Sequence, residues 1–362
     1  MIGRGSLRIL AALFGLALFP ATLLSQPKPP DPAAVPMGAE QNSAVVLALA
    51  DVLRERFAFR ERGAAAARVI ESLEARGTFR EARSAAELLT LIETQIAPIV
   101  NDRHFRTRYL GPEVIAEFTE GPPSAEEVAQ FHEEVRLRGS EIPEVRWLTG
   151  NVGYLRIQRF LDTPPSAEKL KLAMGMLADT RALIIDVRDA PGGEPAGVAN
   201  VIGHLVRERT ATVRAEDRFD PSLSRTFHAE PKTPGYTDKP VYVLVNGRTA
   251  SGAEEFAYDL QAMRRATLVG ETTHGAATPG GFRPLAEGFA AFIPMQIVTH
   301  TITGTHWEGK GVIPDVKVPA AESLARAHRL ALEEILKTAQ GVHRAIAEEG
   351  LAELDMPARE SE

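Results

Sequence analysis

One serine of this chain stands where nucleophilic catalysis is chemically favoured. Ser251 lies in Val243-Leu-Val-Asn-Gly-Arg-Thr-Ala-Ser-Gly-Ala-Glu-Glu-Phe256, where an apolar run predicts a buried strand, Asn-Gly predicts a sharp turn and a helix follows. A hydroxyl at the start of a helix is close to the positive end of the helix dipole, and the amide of Ser251 or Gly252 could stabilise an oxyanion. The alternative interpretation is a helix N-cap, the commoner role of a serine in this position.

A second strand end carries a pair of glycines. The stretch Ile185-Asp-Val-Arg-Asp-Ala-Pro-Gly-Gly193 predicts a buried strand that ends in charged residues and then turns. Gly192 and Gly193 can adopt positive φ and leave their amides uncovered, an arrangement that binds an oxyanion. The same residues are also typical of a plain glycine turn, so both interpretations stay open.

Strands and helices alternate around these two segments. Apolar runs predict strands at 152–157, 182–187, 240–245 and 266–270, and helical stretches at 197–206, 252–263 and 321–340. Alternating strands and helices indicate a layered α/β domain, which we assign to residues 146–345. The polar residues 346–362 are predicted to form a flexible tail.

The N-terminal part of the chain has a different pattern. Helical periodicity from about residue 42 to 99 predicts a small bundle of about three helices, assigned to a domain at 40–100. Ser84 and Glu87 form a capping box at the start of the last of these helices. A connecting segment follows at 101–145, with a polar helix predicted at 124–138.

The first residues are typical of an export signal. Arg4 and Arg8 precede an apolar stretch at 9–24, which predicts a cleaved secretory signal over 1–25 and a periplasmic or secreted protein. An uncleaved membrane anchor is the alternative, although the stretch is slightly short for it. Residues 26–39 form a Pro-rich linker that is predicted not to be helical.

Composition excludes several classes of function. The net charge is −7 with no basic block, which argues against a nucleic-acid partner, and the absence of cysteine excludes disulfides and thiolate chemistry. His300, His306 and Glu308 have no compact metal-ligand spacing, so no metal is predicted. No cofactor motif is present either, and the prediction is of an enzyme without a cofactor.

Four segments in the same order resemble the serine peptidase family that contains the carboxy-terminal-processing peptidases, tricorn protease and interphotoreceptor retinoid-binding protein. The family patterns Asp-Leu-Arg-x-Asn-Pro-Gly-Gly, Asn-x-x-Ser-Ala-Ser-Ala-Ser-Glu, Val-Gly-Glu-x-Thr and Glu-Gly-x-Gly-Val-x-Pro-Asp are similar to 186–193, 246–254, 269–273 and 308–315. The resemblance covers about 150–315. It implies a crotonase/ClpP-like spiral of β-β-α units after the N-terminal helical bundle, with Ser251 as nucleophile.

The resemblance also bears on the general base. In the processing peptidases the base is a lysine, but the matching position here is Ala276, and Lys310 lies in a glycine turn typical of a solvated side chain. The tricorn-like branch uses a histidine and a glutamate instead. Asn101-Asp-Arg-His-Phe-Arg106 resembles the histidine segment of that branch, which implies His104 as the base.

Other residues are candidates for supporting roles. The resemblance implies that Glu308 orients His104, whereas a surface carboxylate and a structural histidine are the alternatives. His274 is a rival base, and its setting favours a pocket wall. Glu254 and Glu255 suit the helix dipole and are interpreted as structural.

The family resemblance leads to a hypothesis on function. Too few residues separate Tyr109 from Val152 for the peptide-binding PDZ module of the processing peptidases, so the cleft or the helical unit would select the substrate. The leading hypothesis is an exported serine peptidase acting on peptides or unfolded proteins. The alternative is a non-catalytic carrier of retinoids or fatty acids. An acyl-CoA enzyme of the crotonase type is a third, and an export signal argues against it.

Overall fold

A computed structural model describes residues 30–116 and 123–356 of the chain, which form two compact units. The first unit contains the described residues up to Glu134 together with Ala215–Arg225 and Ala277–Val298. The second contains Val135–Arg214, Thr226–Ala276 and the described residues from Thr299 onward. The predicted signal at 1–25 and the first residues of the predicted linker lie outside the described residues.

The described part of the first unit is built on the three helices predicted at 42–99, on the helix predicted at 124–138 and on one short helix that the sequence does not predict. They are α1 (Ala39–Arg56), α2 (Arg60–Ala75), α3 (Ala85–Val100), α4 (Pro112–Ala116) and α5 (Ala125–Leu137), whose last residues fall in the second unit. The apolar faces of α1, α2 and α3 share one core that includes Leu49, Ile70 and Ile92. Ser84 caps α3 by accepting a hydrogen bond from the Glu87 amide at 3.3 Å, as its sequence predicts.

A three-stranded antiparallel sheet completes the first unit. Its order is β1 (Arg106–Tyr109), β10 (Phe289–Pro294) and β9 (Gly280–Pro284), with Arg106 opposite Phe292. Because β10 bonds to β1, residues 277–298 belong to the first unit, and the predicted continuous domain at 146–345 is wrong in this respect. The hydrogen-bond partner of a strand is not visible in its own residues.

The second unit contains a six-stranded sheet in the order β12-β8-β7-β4-β3-β2. The strands are β2 (Glu144–Leu148), β3 (Val152–Arg156), β4 (Ala182–Asp186), β7 (Val241–Val245), β8 (Thr267–Gly270) and β12 (Val316–Lys317). All neighbouring pairs are parallel except β2 with β3. Both central strands, β4 and β7, are buried along their whole length, which explains their uninterrupted apolar sequence.

Helices follow the strands of this sheet. They are α6 (Pro164–Met176), α7 (Pro195–Gly203), α8 (Gly252–Ala262), α9 (Ser323–Thr338) and α10 (Gly341–Asp355). Ala327, Ala331 and Leu332 of α9 share a core with β4 and β7. The remaining strands, β5 (Thr210–Asp217), β6 (Arg225–Ala229) and β11 (Gln296–His300), form a sheet in the order β11-β5-β6. Within the described ranges, no helix has the length and apolarity to cross a membrane.

Two predicted boundaries need correction. The tail predicted at 346–362 begins inside α10, where Ala347 is buried and a Cβ added at Gly350 would lie 2.7 Å from the amide nitrogen of Gly150. Ala347, Leu351 and Leu354 recur at helical spacing and pack against the core of the sheet, but the charged residues between them make the segment resemble a polar tail. In its described part, the linker predicted to lack helix contains a short 3₁₀ turn, Pro32–Ala34, which Asp31 caps.

Candidate active site

Ser251 lies in a sharp turn between β7 and α8. Its backbone has φ 53° and ψ −124°, whereas a serine that acts only as an N-cap has extended angles. A side-chain-bearing residue with positive φ is strained, and such strain persists where the surrounding structure enforces it. A strained strand-to-helix turn is also the setting that exposes nucleophilic serines at the top of a sheet. Ser251 is half-buried.

Hydrogen bonds tie this turn to the end of the neighbouring strand β4. The Asn246 side chain donates to Asp189 Oδ1 at 2.7 Å and accepts from the Asp189 amide at 3.1 Å. The Thr249 hydroxyl donates to the Val187 carbonyl at 2.9 Å. The hydrogen bond from Asn246 holds the pKa of Asp189 below its ordinary value. Parallel neighbours end at one edge of a sheet, so the two predicted segments meet there.

The glycine pair at the end of β4 packs against Ser251. Gly192 and Gly193 have φ of 116° and 154°. A Cβ at Gly192 would lie 2.7 Å from both the Gly252 nitrogen and Ser251 Cβ, and a Cβ at Gly252 would lie 2.6 Å from the Gly193 carbonyl oxygen. Only glycine permits this approach. In the part of the chain that the structure describes, we find no hydrogen bond donated by the amides of Gly193 and Gly252.

The charged residues of the same strand end have a structural role. Asp186 is buried and accepts from the Tyr154 hydroxyl at 2.7 Å and from Arg188 Nε at 2.9 Å. Arg188 Nη1 donates to the Ala320 carbonyl at 2.8 Å, just before α9. This buried pair therefore joins the end of β4 to the start of α9.

Glu254, in the first turn of α8, is fully buried beneath the nucleophile turn. Its carboxylate accepts from the amides of Ser251 at 2.9 Å, Gly275 at 2.6 Å and Ala276 at 2.8 Å, and from the Thr273 hydroxyl at 2.5 Å. Burial raises the pKa of Glu254 to about 7, against the opposing effect of these hydrogen bonds. The sequence places Glu254 in the first turn of a helix, where an acid suits the helix dipole, but it does not reveal these four hydrogen-bond donors.

Glu308 lies half-buried in a turn that rests on the same loop. The Trp307 indole donates to the Ala276 carbonyl at 3.0 Å, and the Gly309 amide donates to the Gly275 carbonyl at 2.8 Å. Glu308 is therefore held by the residues on either side of it. Because Gly275 and Ala276 also bind Glu254, one loop connects the Glu308 turn to the nucleophile turn.

Three histidines of the second unit, His274, His300 and His306, occupy different settings. His274 is exposed, which suits the wall of a pocket better than a buried base. His300 is fully buried, with Nε2 3.3 Å from Asp259 Oδ1, whereas His306 Nδ1 accepts from the Glu308 amide at 3.2 Å. Lys310 is exposed, as its glycine turn predicts.

A buried acidic cluster lies along α8 beside His300. Glu255 and Asp259 are one helical turn apart and both are buried. Burial raises the pKa of Glu255 to about 8, and burial together with the Glu255 charge raises the pKa of Asp259. His300 Nδ1 accepts from the Ile302 amide at 3.2 Å, so its proton is on Nε2, facing Asp259.

His104 belongs to the first unit and lies just before β1. Its backbone amide donates to Asp102 Oδ1 at 2.9 Å, and its Nδ1 is 4.0 Å from the same oxygen. The Thr278 hydroxyl donates to Asp102 Oδ2 at 2.6 Å and lies 3.5 Å from His104 Nδ1. The imidazole stacks on Phe292, with ring centroids 5.7 Å apart. Sequence reasoning missed Thr278 and Phe292.

Comparisons with known proteins identify two matching family models. "Peptidase family S41" matches residues 151–318, and "N-terminal domain of Peptidase_S41 in eukaryotic IRBP" matches residues 37–137. A carboxy-terminal-processing protease of Bartonella bacilliformis is 30% identical over 181 residues, which is 47% of this chain and 39% of that protein. A carboxyl-terminal-processing protease of Synechocystis is 32% identical over 169 residues, 46% of this chain and 37% of that protein. The chain thus spans about two fifths of the length of these relatives.

Solved structures share the fold over most of the chain. Mature CPAF complexed with lactacystin has a TM-score of 0.58 at 13% identity and covers 86% of this chain and 99% of its own. A putative peptidase from Parabacteroides merdae has a TM-score of 0.53 at 17% identity, with 88% and 98% covered. At these identities the likeness concerns the fold alone.

Proposed function

Because the chain belongs to peptidase family S41, we propose that it is a serine peptidase and that Ser251 is its nucleophile. The observation that carries the proposal is the strained backbone of Ser251, φ 53° and ψ −124°, at a turn between a buried strand and a helix. An N-cap has no need of this conformation. Acyl transfer also requires donors that stabilise the oxyanion, and we propose that the glycine amides packed against the turn provide them.

The proposed reaction has two stages. Ser251 Oγ attacks the scissile carbonyl carbon while His104 removes the hydroxyl proton, and His104 then returns that proton to the leaving amine as the peptide C–N bond breaks. In the second stage His104 removes a proton from water as the water oxygen attacks the acyl carbon, and it returns this proton to Ser251 Oγ as the ester C–O bond breaks. The amides of Gly193 and Gly252, with Gly192 shaping the turn, stabilise the oxyanion in both stages.

His104 is proposed as the base for two reasons. Ala276 occupies the position of the processing-peptidase lysine, and its amide bonds to Glu254, so this position has no group that takes up a proton. The His104 ring is held by Phe292 and approached by Thr278, as a positioned base requires. Glu308 is proposed to orient the imidazole and to stabilise it when charged.

The proposal also includes the fold of the second unit and the location of the protein. We propose that the six-stranded sheet and its helices form a crotonase/ClpP-like spiral, consistent with the likeness to the CPAF fold. We also propose export, and thus a periplasmic or secreted location, from the signal pattern at 1–25, which lies outside the described residues. Sequencing the N-terminus of the mature protein tests export, since an intact Met1 would contradict it.

Cleavage of a peptide library by the wild type and by Ser251→Ala tests the activity. We expect cleavage by the wild type and a loss of at least about 1,000-fold in the variant, since the reaction then lacks its nucleophile. Equal cleavage by both proteins would refute the proposal. Tight binding of retinol or a fatty acid without any cleavage would instead favour the carrier hypothesis.

A further inference from the structure

Each carboxylate oxygen of Glu254 accepts two hydrogen bonds. Oε2 accepts from the Ser251 and Ala276 amides, and Oε1 accepts from the Gly275 amide and the Thr273 hydroxyl. The Thr273 hydroxyl oxygen itself accepts from the Val312 amide at 2.7 Å, so its own proton points to Glu254. An ionised carboxylate has four acceptor sites and no donor, which suits this set of partners.

The bond to the Ser251 amide acts on the nucleophile directly. It fixes the peptide plane before Ser251 and therefore favours the positive φ that this residue adopts. A hydrogen bond to a charged acceptor is among the stronger ones and can oppose local backbone strain. Since the Ser251 amide already donates to Glu254, the Gly252 amide is the one in this turn that is proposed to stabilise the oxyanion.

The other three bonds act on the loop that carries the Glu308 turn. Gly275 and Ala276 donate to Glu254 through their amides and accept from Gly309 and the Trp307 indole through their carbonyls. The peptide groups of this loop therefore lie between Glu254 and the Glu308 turn. Neutralising Glu254 would weaken one end of this chain of hydrogen bonds.

We propose that ionised Glu254 is a positioning residue, which holds the Ser251 turn and the loop beneath Glu308 in their catalytic arrangement. The inference rests on the proposed function and adds a regulation to it, because protonation of Glu254 removes an acceptor and loosens the turn. Burial is the largest influence on its pKa, followed by its own hydrogen bonds. The titratable residues on the segments packed against it are Arg248 in the nucleophile turn, Glu255, Tyr258 and Asp259 on α8, Glu271 and His274 beside Thr273, and His306, Glu308 and Lys310 in the Glu308 turn.

The sign of the pH effect follows from a pKa of about 7. Above this pH Glu254 is ionised and accepts all four bonds, and as pH falls through it the activity declines. A neutral His104 is also needed, so log kcat of the wild type should fall at acid pH with a slope that approaches two. Glu254→Gln removes one of the two protonations, and its slope should approach one.

The test compares kcat and KM across pH for Glu254→Gln with the matched variant Glu255→Gln, which changes the adjacent buried glutamate on the same helix. We expect Glu254→Gln to lower kcat by about 100-fold with little change in KM, the size of effect seen when a preorganised contact is lost. Glu255→Gln should stay within about threefold of the wild type and keep its slope, since such a change corresponds to less than one lost hydrogen bond.

Thr273→Val provides a second route if Glu254→Gln fails to fold. It removes one bond that lowers the pKa of Glu254, so the acid limb should move to higher pH, with kcat at pH 8 reduced about tenfold or less. An unshifted limb, or equal behaviour of the Glu254→Gln and Glu255→Gln variants, would overturn the inference. Activity retained in Ser251→Ala would instead overturn the proposed function, so the two failures are distinguishable.

Discussion

The two principal residues of the proposed mechanism are held by different means. In the second unit, Ser251 is fixed through the backbone, by a turn bonded to the end of β4 and by glycines that pack against it. In the first unit, His104 is fixed by side chains, and two of these, Thr278 and Phe292, come from a distant part of the sequence. The position of Ser251 should therefore depend on the side chains that hold its backbone turn, such as Thr249 and Glu254, whereas that of His104 should depend on the side chains that contact its ring.

Substitution of His104 in the first unit should lower activity far more than substitution of His274 in the second unit. We expect His104→Ala to lower kcat/KM by roughly 1,000- to 10,000-fold, because the serine then has no general base. His274→Ala is the control, since this histidine is exposed and should change activity by less than about threefold. Steady-state kinetics on one cleaved peptide measures both. A greater loss in the His274→Ala variant would transfer the role of base to that residue.

The orienting carboxylate should give the next largest effect, and two acids compete for the role. We expect Glu308→Gln to lower kcat by about 100-fold or more, since a triad acid stabilises the charged imidazole. Asp102→Asn should cost less, about tenfold, because Asp102 accepts the His104 amide and its oxygen lies 4.0 Å from the ring nitrogen.

The order of these two losses decides the assignment. Both substitutions keep the size of the side chain, and far-ultraviolet circular dichroism checks that both proteins are folded. A larger loss in Asp102→Asn than in Glu308→Gln would show that the first unit contains both the base and its orienting acid.

The buried Glu255 of α8 should make the free energy of unfolding depend on pH, unlike an exposed glutamate of the first unit. Glu255 has a pKa of about 8 when folded and an ordinary value of 4.5, so the folded chain retains a proton that the unfolded chain releases. The contribution of Glu255 to the free energy of unfolding is therefore fully present below about pH 4.5. It declines between about pH 4.5 and pH 8, by at most about 1.4 kcal/mol per pH unit for one proton.

Urea unfolding at several pH values measures this decline. We expect Glu255→Gln to be more stable than the wild type at pH 8 and to approach it at pH 4.5, because the variant has no charge to bury at this position. The exposed Glu55 of α1 provides the control, and Glu55→Gln should retain the wild-type pH dependence. The same decline in Glu255→Gln as in the wild type would contradict the prediction.

The parts of the fold that the sequence predicted are those set by local patterns. The strand expected at 182–187 is Ala182–Asp186 and the helix expected at 252–263 is Gly252–Ala262, because a buried run and a helical face are visible in the residues themselves. The edge strand Glu144–Leu148 was not predicted, since it is partly exposed and lacks a continuous apolar run. The grouping of 277–298 with the first unit depends on pairing with β1.

The site shows the same division. Ser251 and the glycine pair are recognisable because their turn chemistry and motif spacing are local, although the positive φ of Ser251 is not. The local sequence identifies Glu254 only as an acid that suits the helix dipole, because its partners at 273–276 come from another segment. Thr278 and Phe292 carry no local signal at all, since their importance follows only from their contacts with residues near 104.

The central claim is that Ser251 is an activated nucleophile, and covalent labelling tests it most directly. The folded protein is treated with a fluorophosphonate, and its intact mass and labelled peptide are measured for the wild type and for Ser251→Ala. We predict one adduct per chain on Ser251 and none in the variant, because only an activated serine reacts with the phosphorus centre. An unlabelled wild type that still cleaves peptide, or equal labelling of both proteins, would contradict the account.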